Sequence, residues 1–256
     1  MTKRSTWSIP YLVFMIIFVV LPLLLIVIYA FQDGNGHFTL SNVTRFFTDS
    51  DSLSTFALSL EVAIENTLIC ILLGYPAAWI LANRKFNRSA VTVTLFIMPM
   101  WINALMRTLA TAELFNVLGF TLGKGTLLFG MVYDYIPFMI YPIYNILMKL
   151  DNSYMEAAED LGATPWKVFW KVTVPLSMPG VMSGVLMVFM PTVSTFAISE
   201  FLTNNKIKLF GTIIQENINS SMWNYGAALA FIMLIIIGVS SLFGGERESS
   251  AEGGLI

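Results

Sequence analysis

Five carboxylates lie within or beside long apolar segments of this sequence, and they are the side chains best suited to bind a cation. These residues are Glu61, Glu65, Glu113, Asp134 and Glu200. An ionisable group at membrane depth costs about 2.5–3.5 kcal/mol, so it normally faces a cavity or an oppositely charged partner. Carboxylates and aromatic faces can replace water around an organic cation. The residue types therefore favour cation binding over covalent catalysis.

Glu200 and Asp134 are the leading candidates for a cation acceptor on a substrate path. Glu200 is expected toward the outer part of its apolar segment, with surface placement near Lys206 as the alternative. Asp134 is flanked by Tyr133 and Tyr135, and an aromatic-flanked carboxylate suits an ammonium group. Further candidates for the path are Trp101 and Glu65.

Arg107 would repel a cation if it were unpaired, so we interpret it as a structural charge neutralised by Asp134 or Glu113. Pairing with Arg107 would give Asp134 a structural role instead of a role on the path. Glu61 and Glu65 are one turn apart and share a helix face, where they could attract cations or form a solvated helix end. The sequence leaves these alternatives open.

Several chemistries are excluded by residues that the chain lacks. His37 is the only histidine, which rules out H-E-x-x-H zinc chemistry, and no G-x-S-x-G elbow is present. The stretch 119-GFTLGKGT-126 is one residue short of a phosphate-binding loop and has Gly125 where a hydroxyl is required. We therefore expect no catalytic residue, no metal site and no cofactor on this chain. Its net charge of −2 gives no basic patch for nucleic acid.

The composition indicates an all-α protein that crosses a membrane several times. Of 256 residues, 56% are hydrophobic, which is above the usual share for a soluble domain. A transmembrane helix needs roughly 20 apolar residues. Six spans are predicted, at about 9–31, 58–82, 89–109, 127–150, 175–201 and 225–243. Residues 1–243 would form the membrane domain, and the Gly/Ser/Glu-rich tail 244–256 is expected to be disordered.

The basic residues predict the orientation, because cytoplasmic loops carry an excess of lysine and arginine. One side has four of them: Arg45, Lys124, Lys206 and Lys208. The other side has nine: Lys3, Arg4, Arg84, Lys85, Arg88, Lys149, Lys167, Lys171 and Arg247. Both termini and the connection 151–174 are therefore expected in the cytoplasm.

The connection 151–174 is too polar and too structured to be a simple link between spans. The pattern 153-SYME-156 predicts a capping box, with Ser153 and Glu156 exchanging hydrogen bonds at a helix start. Gly162 offers the left-handed conformation that ends a helix, and 164-TPW-166 predicts a new helix start. The segment should thus be a short helix, a break and a second helix.

The spacing of this connection resembles the EAA loop of ABC importer permeases, EAA---G---------I-LP. Glu156, Ala157, Ala158 and Gly162 match it, and Val172 and Val174 replace Ile and Leu before Pro175. The resemblance covers essentially the whole chain and implies the type I ABC importer permease fold with six spans. It further implies that the four matching residues dock on a cytoplasmic ATPase, with Val174 and Pro175 as the return hinge.

Other stretches are similar to B-type spermidine/putrescine permease subunits, notably 133-YDYIPFMIYPIYNILMKLD-151. The resemblance implies polyamine import across the bacterial cytoplasmic (inner) membrane, with ferric ion, thiamine or an oxyanion as alternative solutes. It also implies a second permease subunit of the C type, two ATPase subunits that carry ATP and Mg, and an external substrate-binding protein. A secondary transporter is disfavoured, because it would not need the EAA loop.

Overall fold

The computed structural model describes residues 9–83 and 90–252 of the chain. The helices, numbered in chain order, are α1 Ile9–Ala30, α2 Ser41–Thr48, α3 Ser50–Ala82, α4 Ala90–Ile97, α5 Ala104–Val117, α6 Lys124–Lys149, α7 Ser153–Asp160, α8 Pro165–Ser194, α9 Ala197–Thr203, α10 Phe210–Asn219 and α11 Trp223–Glu252. Within the described ranges there is no β-strand, only an isolated bridge between Gln32 and Phe38. The chain is therefore all-α, as its composition predicts.

Five of these helices, α1, α3, α6, α8 and α11, are long and apolar enough to cross a membrane. The predicted third span, 89–109, is not one straight helix. α4 and α5 meet at a bend of 91°, and the pair makes a sixth span only if it is counted together. Pro99 lacks an amide hydrogen, and the Asn103 side chain caps α5 by accepting from the amides of Leu105 at 2.9 Å and Met106 at 3.3 Å. These two residues end one helix and start the next.

The fifth span also differs from the predicted 175–201. α8 begins ten residues earlier, at Pro165, and continues through Pro175 because Phe169–Thr173 forms a π-helical turn. In that turn the Val174 amide donates to the carbonyl of Phe169, which accommodates a following proline that has no amide hydrogen. The helix ends at Ser194, since Thr195 is extended with ψ 145°. Glu200 therefore lies on the separate helix α9.

The ends of the remaining spans are close to the prediction, with two extensions. α3 starts at Ser50 instead of 58, and α11 continues to Glu252 although a disordered tail was expected from 244. Extending an existing helix requires no new nucleation, so two glycines at 244–245 do not end it. The orientation argument used basic residues at 1–8 and 84–89, and these lie outside the described residues, as does the end of the tail at 253–256.

α6 is the centre of the fold and packs most extensively against α3 and α8. Their shared core is formed by Cys70, Tyr75, Ala78, Met139, Ile140, Ile143 and Val188. Gly184 lets α8 approach α6 closely, since a Cβ there would be 2.7 Å from the sulfur of Met139. α11 packs against α1 and α10, and no residue in the apolar window of α1 is buried. α1 thus forms an outer, apolar edge of the bundle.

Candidate functional site

The first candidate site is α7 with the turn that follows it, within the segment that matches the EAA spacing. α7 begins at Ser153, but the predicted capping box does not form. Instead, the carboxylate of Asp151 accepts from the Ser153 amide at 2.9 Å. This backbone hydrogen bond, followed by one from the Ser153 hydroxyl, lowers the pKa of Asp151 below its ordinary value of 3.8. Asp151 and Ser153 both have side chains that can accept from amides at a helix start, and here the Asp151 carboxylate does so.

The C-terminal end of α7 has the predicted break at Gly162. This residue has φ +80°, a conformation that glycine adopts without steric cost. The Gly162 amide donates to the Glu159 carbonyl at 2.8 Å, and the Ala163 amide donates to the Ala158 carbonyl at 3.0 Å. This pair of bonds is the Schellman arrangement that satisfies the last carbonyls of a helix. The turn directs the chain from α7 into α8.

The surface of this segment exposes large apolar side chains beside its charged ones. Leu161 is 90% exposed and Trp166 is 70% exposed, while Glu156 and Ala157 are also exposed. Ala158 is half-buried. α7 also borders a cleft of about 700 Å³, which Glu156 helps to line and which contacts the ends of α3 and α6. A short helix with alanines and an exposed leucine is a surface that another protein can cover.

Val174 and Pro175 do not form a break in the helix that follows α7. Both lie inside α8, which runs without interruption from Pro165 to Ser194. The return hinge that the resemblance implies therefore lies within a continuous helix.

The second candidate site lies where α5 packs on α6, and it contains Asp134 and Arg107. Arg107 Nε is 3.3 Å from Asp134 Oδ1, and the two side chains are 5% and 2% exposed. The Thr108 hydroxyl donates to Asp134 Oδ2 at 3.1 Å. The Arg107 guanidinium also lies 5.6 Å from the centre of the Tyr133 ring. The structure thus pairs Arg107 with Asp134, while Glu113 is exposed and has no ion pair among the described residues.

Glu200 is placed differently from Asp134. It lies in the first turn of α9, is half-buried, and forms no ion pair with Lys206 or with any other described residue. Trp101 is 80% exposed in the turn before α5, and Tyr133 is 41% exposed. Tyr135 is half-buried near Thr195, the residue at which α8 ends. Of the sequence candidates, the structure brings Tyr133 and Asp134 together with Arg107, and Tyr135 to the start of α9.

Glu65 belongs to a third group of charges, at the start of α6. Lys124 Nζ donates to Glu61 Oε1 at 2.6 Å and to Glu65 Oε1 at 2.8 Å. All three side chains are at least one-third exposed. The two carboxylates share a helix face as predicted, and here they bind a lysine of the same chain.

Sequence analysis missed the polar contacts that join α3 to α8. Asn66 donates to the Thr192 hydroxyl at 2.8 Å, and Tyr75 and Ser177 share a hydrogen bond of 2.7 Å. The available signal was a polar residue inside an apolar run, because such a residue normally needs a partner. The sequence does not say which partner, since both pairs are separated by more than a hundred residues.

Comparison with known proteins supports the resemblance to ABC importer permeases. Residues 66–245 match the family described as binding-protein-dependent transport system inner membrane component. The spermidine/putrescine transport system permease protein PotB of Escherichia coli (strain K12) is 32% identical, over 89% of this chain and 91% of that protein. The PotB of Haemophilus influenzae is 30% identical, over 87% and 86%.

Solved structures share the fold at low sequence identity. A bacterial ABC transporter involved in the import of the acidic polysaccharide alginate has a TM-score of 0.67 and 18% identity, covering 97% of this chain and 98% of that one. The methionine transporter MetNI has a TM-score of 0.60 and 14% identity, covering 77% and 94%. The chain belongs to the binding-protein-dependent inner-membrane transport components, and it is a multi-pass permease subunit of an ABC importer.

Proposed function

We propose that this permease subunit imports polyamines of the spermidine/putrescine type. The observation that carries the proposal is the similarity to PotB over about nine-tenths of both chains. The chemistry of the chain is compatible with it, because Glu200 is a half-buried carboxylate without an ion pair among the described residues. Such a group can accept an ammonium in a transport path. Glu200 is therefore the acceptor that we assign to this chain.

In this proposal the chain works with four other proteins: a second permease subunit of the C type, two ATPase subunits and an external substrate-binding protein. ATP and Mg bind to the ATPase subunits, and this chain has no catalytic role. α7 docks on one ATPase through Glu156, Ala157 and Ala158, and Gly162 sets the angle of the docked helix. The exposed Leu161 and the continuous α8 support this assignment.

The test is uptake of radiolabelled spermidine into proteoliposomes that contain the assembled transporter. ATP is enclosed in the lumen, on the side of the membrane where the ATPase subunits lie. We expect saturable, ATP-dependent uptake that unlabelled putrescine inhibits and sulfate does not. Glu200→Gln should raise the KM for spermidine, and Glu113→Gln, a change at an exposed and unpaired carboxylate, should leave it unchanged. Inhibition by sulfate, thiamine or ferric ion, without inhibition by putrescine, would assign a different solute.

A further inference from the structure

One residue of α6 is held by two consecutive residues of α5. Asp134 presents Oδ1 to Arg107 Nε at 3.3 Å and Oδ2 to the Thr108 hydroxyl at 3.1 Å. Arg107 Nη2 in addition donates to the backbone carbonyl of Asp134 at 3.5 Å. Arg107 and Asp134 are both more than nine-tenths buried. α5 is therefore attached to α6 through both the side chain and the backbone of Asp134.

This attachment lies one turn beyond the 91° bend between α4 and α5. A straight helix fixes the direction of each following turn through its own hydrogen bonds, but a bend does not. The direction of α5 must therefore come from contacts that α5 makes after the bend. Arg107 and Thr108 are the buried polar residues that supply such contacts to α6.

α9, the helix that follows the second break, packs on the same two helices. The Thr126 hydroxyl of α6 donates to the Leu202 carbonyl of α9 at 2.7 Å. Gly130 makes room for the Leu202 side chain, and a Cβ on Gly130 would collide with it. α5 and α9 are thus both fixed to α6, and they also pack against each other.

The Arg107 guanidinium already occupies the position beside Asp134 that a substrate cation would need. The contact between Arg107 Nε and Asp134 Oδ1 has ion-pair distance without hydrogen-bond alignment, and Arg107 Nη1 has no hydrogen-bond partner among the described residues. A second cation near Asp134 would have to displace the guanidinium from a buried site. Two desolvated charges of this kind are tolerated only as a pair.

We infer that Arg107 and Asp134 are a positioning pair, which holds α5, α6 and α9 as one block while the transporter changes conformation. Asp134 then acts on transport through helix placement, and it does not contact the substrate. The inference rests on ATP-driven import as the function of the assembled protein. In this role each charge serves only to neutralise the other, and neither charge binds the substrate.

The test compares single variants with a double variant that removes both charges. Asp134→Asn and Arg107→Gln each leave one buried charge alone, so the maximal uptake rate should fall about tenfold or more. The KM for spermidine should stay within about twofold of the unaltered value, because no substrate contact is lost. In Arg107→Gln with Asp134→Asn, two neutral amides replace the charges, and the uptake rate should recover to within about threefold.

The opposite pattern would overturn the inference. If Asp134 bound the substrate, the double variant would remain as slow as Asp134→Asn and would show a raised KM. Uptake at the unaltered rate in both single variants would also overturn it. Glu113→Gln on the exposed part of α5 is the matched control and should have no effect.

A distance measurement tests the block without any substrate. Spin labels are placed by Glu113→Cys on α5 and Lys206→Cys after α9, both exposed positions, in a Cys70→Ala background of the assembled transporter. We expect one narrow distance that is the same with and without ATP, and a broad distribution after Asp134→Asn. If the distance between the two spin labels changes with ATP while Arg107 and Asp134 are intact, the inference is overturned. If the parent keeps the narrow distance but imports no polyamine, the substrate proposal fails and the positioning pair stands.

Discussion

Single residues at two helix ends decide how this chain changes direction. Gly162 ends α7 in the left-handed conformation, at φ +80°. Gly211, at the start of α10, lies against the backbone carbonyls of Ser194 and Thr195, where α8 ends. Glycine is required for its conformation at the first position and for its lack of a side chain at the second.

Replacement of Gly211 by alanine should destabilise the protein. The added Cβ would lie 2.7 Å from the Thr195 carbonyl oxygen and closer still to that of Ser194, and backbone atoms cannot rotate away. We expect a loss of about 1–3 kcal/mol of unfolding free energy, measured as a lower thermal midpoint in detergent. Gly238→Ala in α11 is the control, because its Cβ would meet nothing within 4 Å. Equal midpoints for the two variants would contradict the prediction.

Replacement of Gly162 tests the docking of α7 on the ATPase. In Gly162→Leu, a side chain in the left-handed conformation costs about 1–2 kcal/mol, so the break after α7 should shift. We expect spermidine uptake to fall severalfold, while the ATPase subunits still hydrolyse ATP. Gly162→Asn is the control, since asparagine tolerates this conformation. Full uptake by Gly162→Leu with an intact ATPase would show that the docking assignment is wrong.

At the scale of helices, α8 connects the segment assigned to the ATPase with the break at Thr195. It has no interruption over its length from Pro165 to Ser194, and two hydrogen bonds join it to α3: Tyr75 with Ser177 near the middle of α8, and Asn66 with Thr192 near its C-terminal end. These bonds lie inside the bundle, where no water can replace a lost partner. α3 and α8 should therefore move together.

Loss of the Thr192 hydroxyl should weaken the packing of α3 against α8. The hydroxyl accepts from the Asn66 amide at 2.8 Å, and valine has the same shape without an acceptor. Thr192→Val should lower the unfolding free energy by about 1 kcal/mol. It should also increase hydrogen exchange in the C-terminal turns of α8. Thr192→Ser retains the hydroxyl and should behave as the unaltered protein, so identical losses in both variants would rule out the hydrogen bond as the cause.

For the whole molecule, the orientation in the membrane can be tested with one residue on each side. Leu161→Cys, at a position that is 90% exposed, should react with a membrane-impermeant maleimide only in inside-out vesicles from which the ATPase subunits have been removed. Phe38→Cys, at a position that is 77% exposed, should react only in intact spheroplasts. The native Cys70 is buried and should stay unlabelled. Labelling of Leu161→Cys from the outside would reverse the orientation.

Hydropathy predicted the straight spans because it detects the long apolar runs that a helix needs in order to cross lipid. The predicted 127–150 differs from α6, Lys124–Lys149, by only a few residues. The hydropathy average did not predict the bend before α5 or the end of α8, since an average over many residues does not detect a single extended residue such as Thr195. Capping was predicted at the right helix end with the wrong residue, because the Asp151 carboxylate binds the Ser153 amide that the Glu156 carboxylate was expected to bind. The partner of Arg107 was among the two considered, but only packing selects Asp134.

The bend between α4 and α5 also reports on what surrounds the protein. Its turn, Met98–Trp101, and the next residues Ile102 and Asn103 leave the helical path, and Trp101 to Asn103 are exposed in the isolated chain. Hydrocarbon offers no hydrogen bonds to the backbone groups that such a turn releases. This side of the bundle must therefore meet protein or water, whereas α1, whose apolar window has no buried residue, meets lipid or an apolar neighbour. A fluorescent probe at Trp101→Cys would consequently report a more hydrated environment than one at Phe18→Cys on α1.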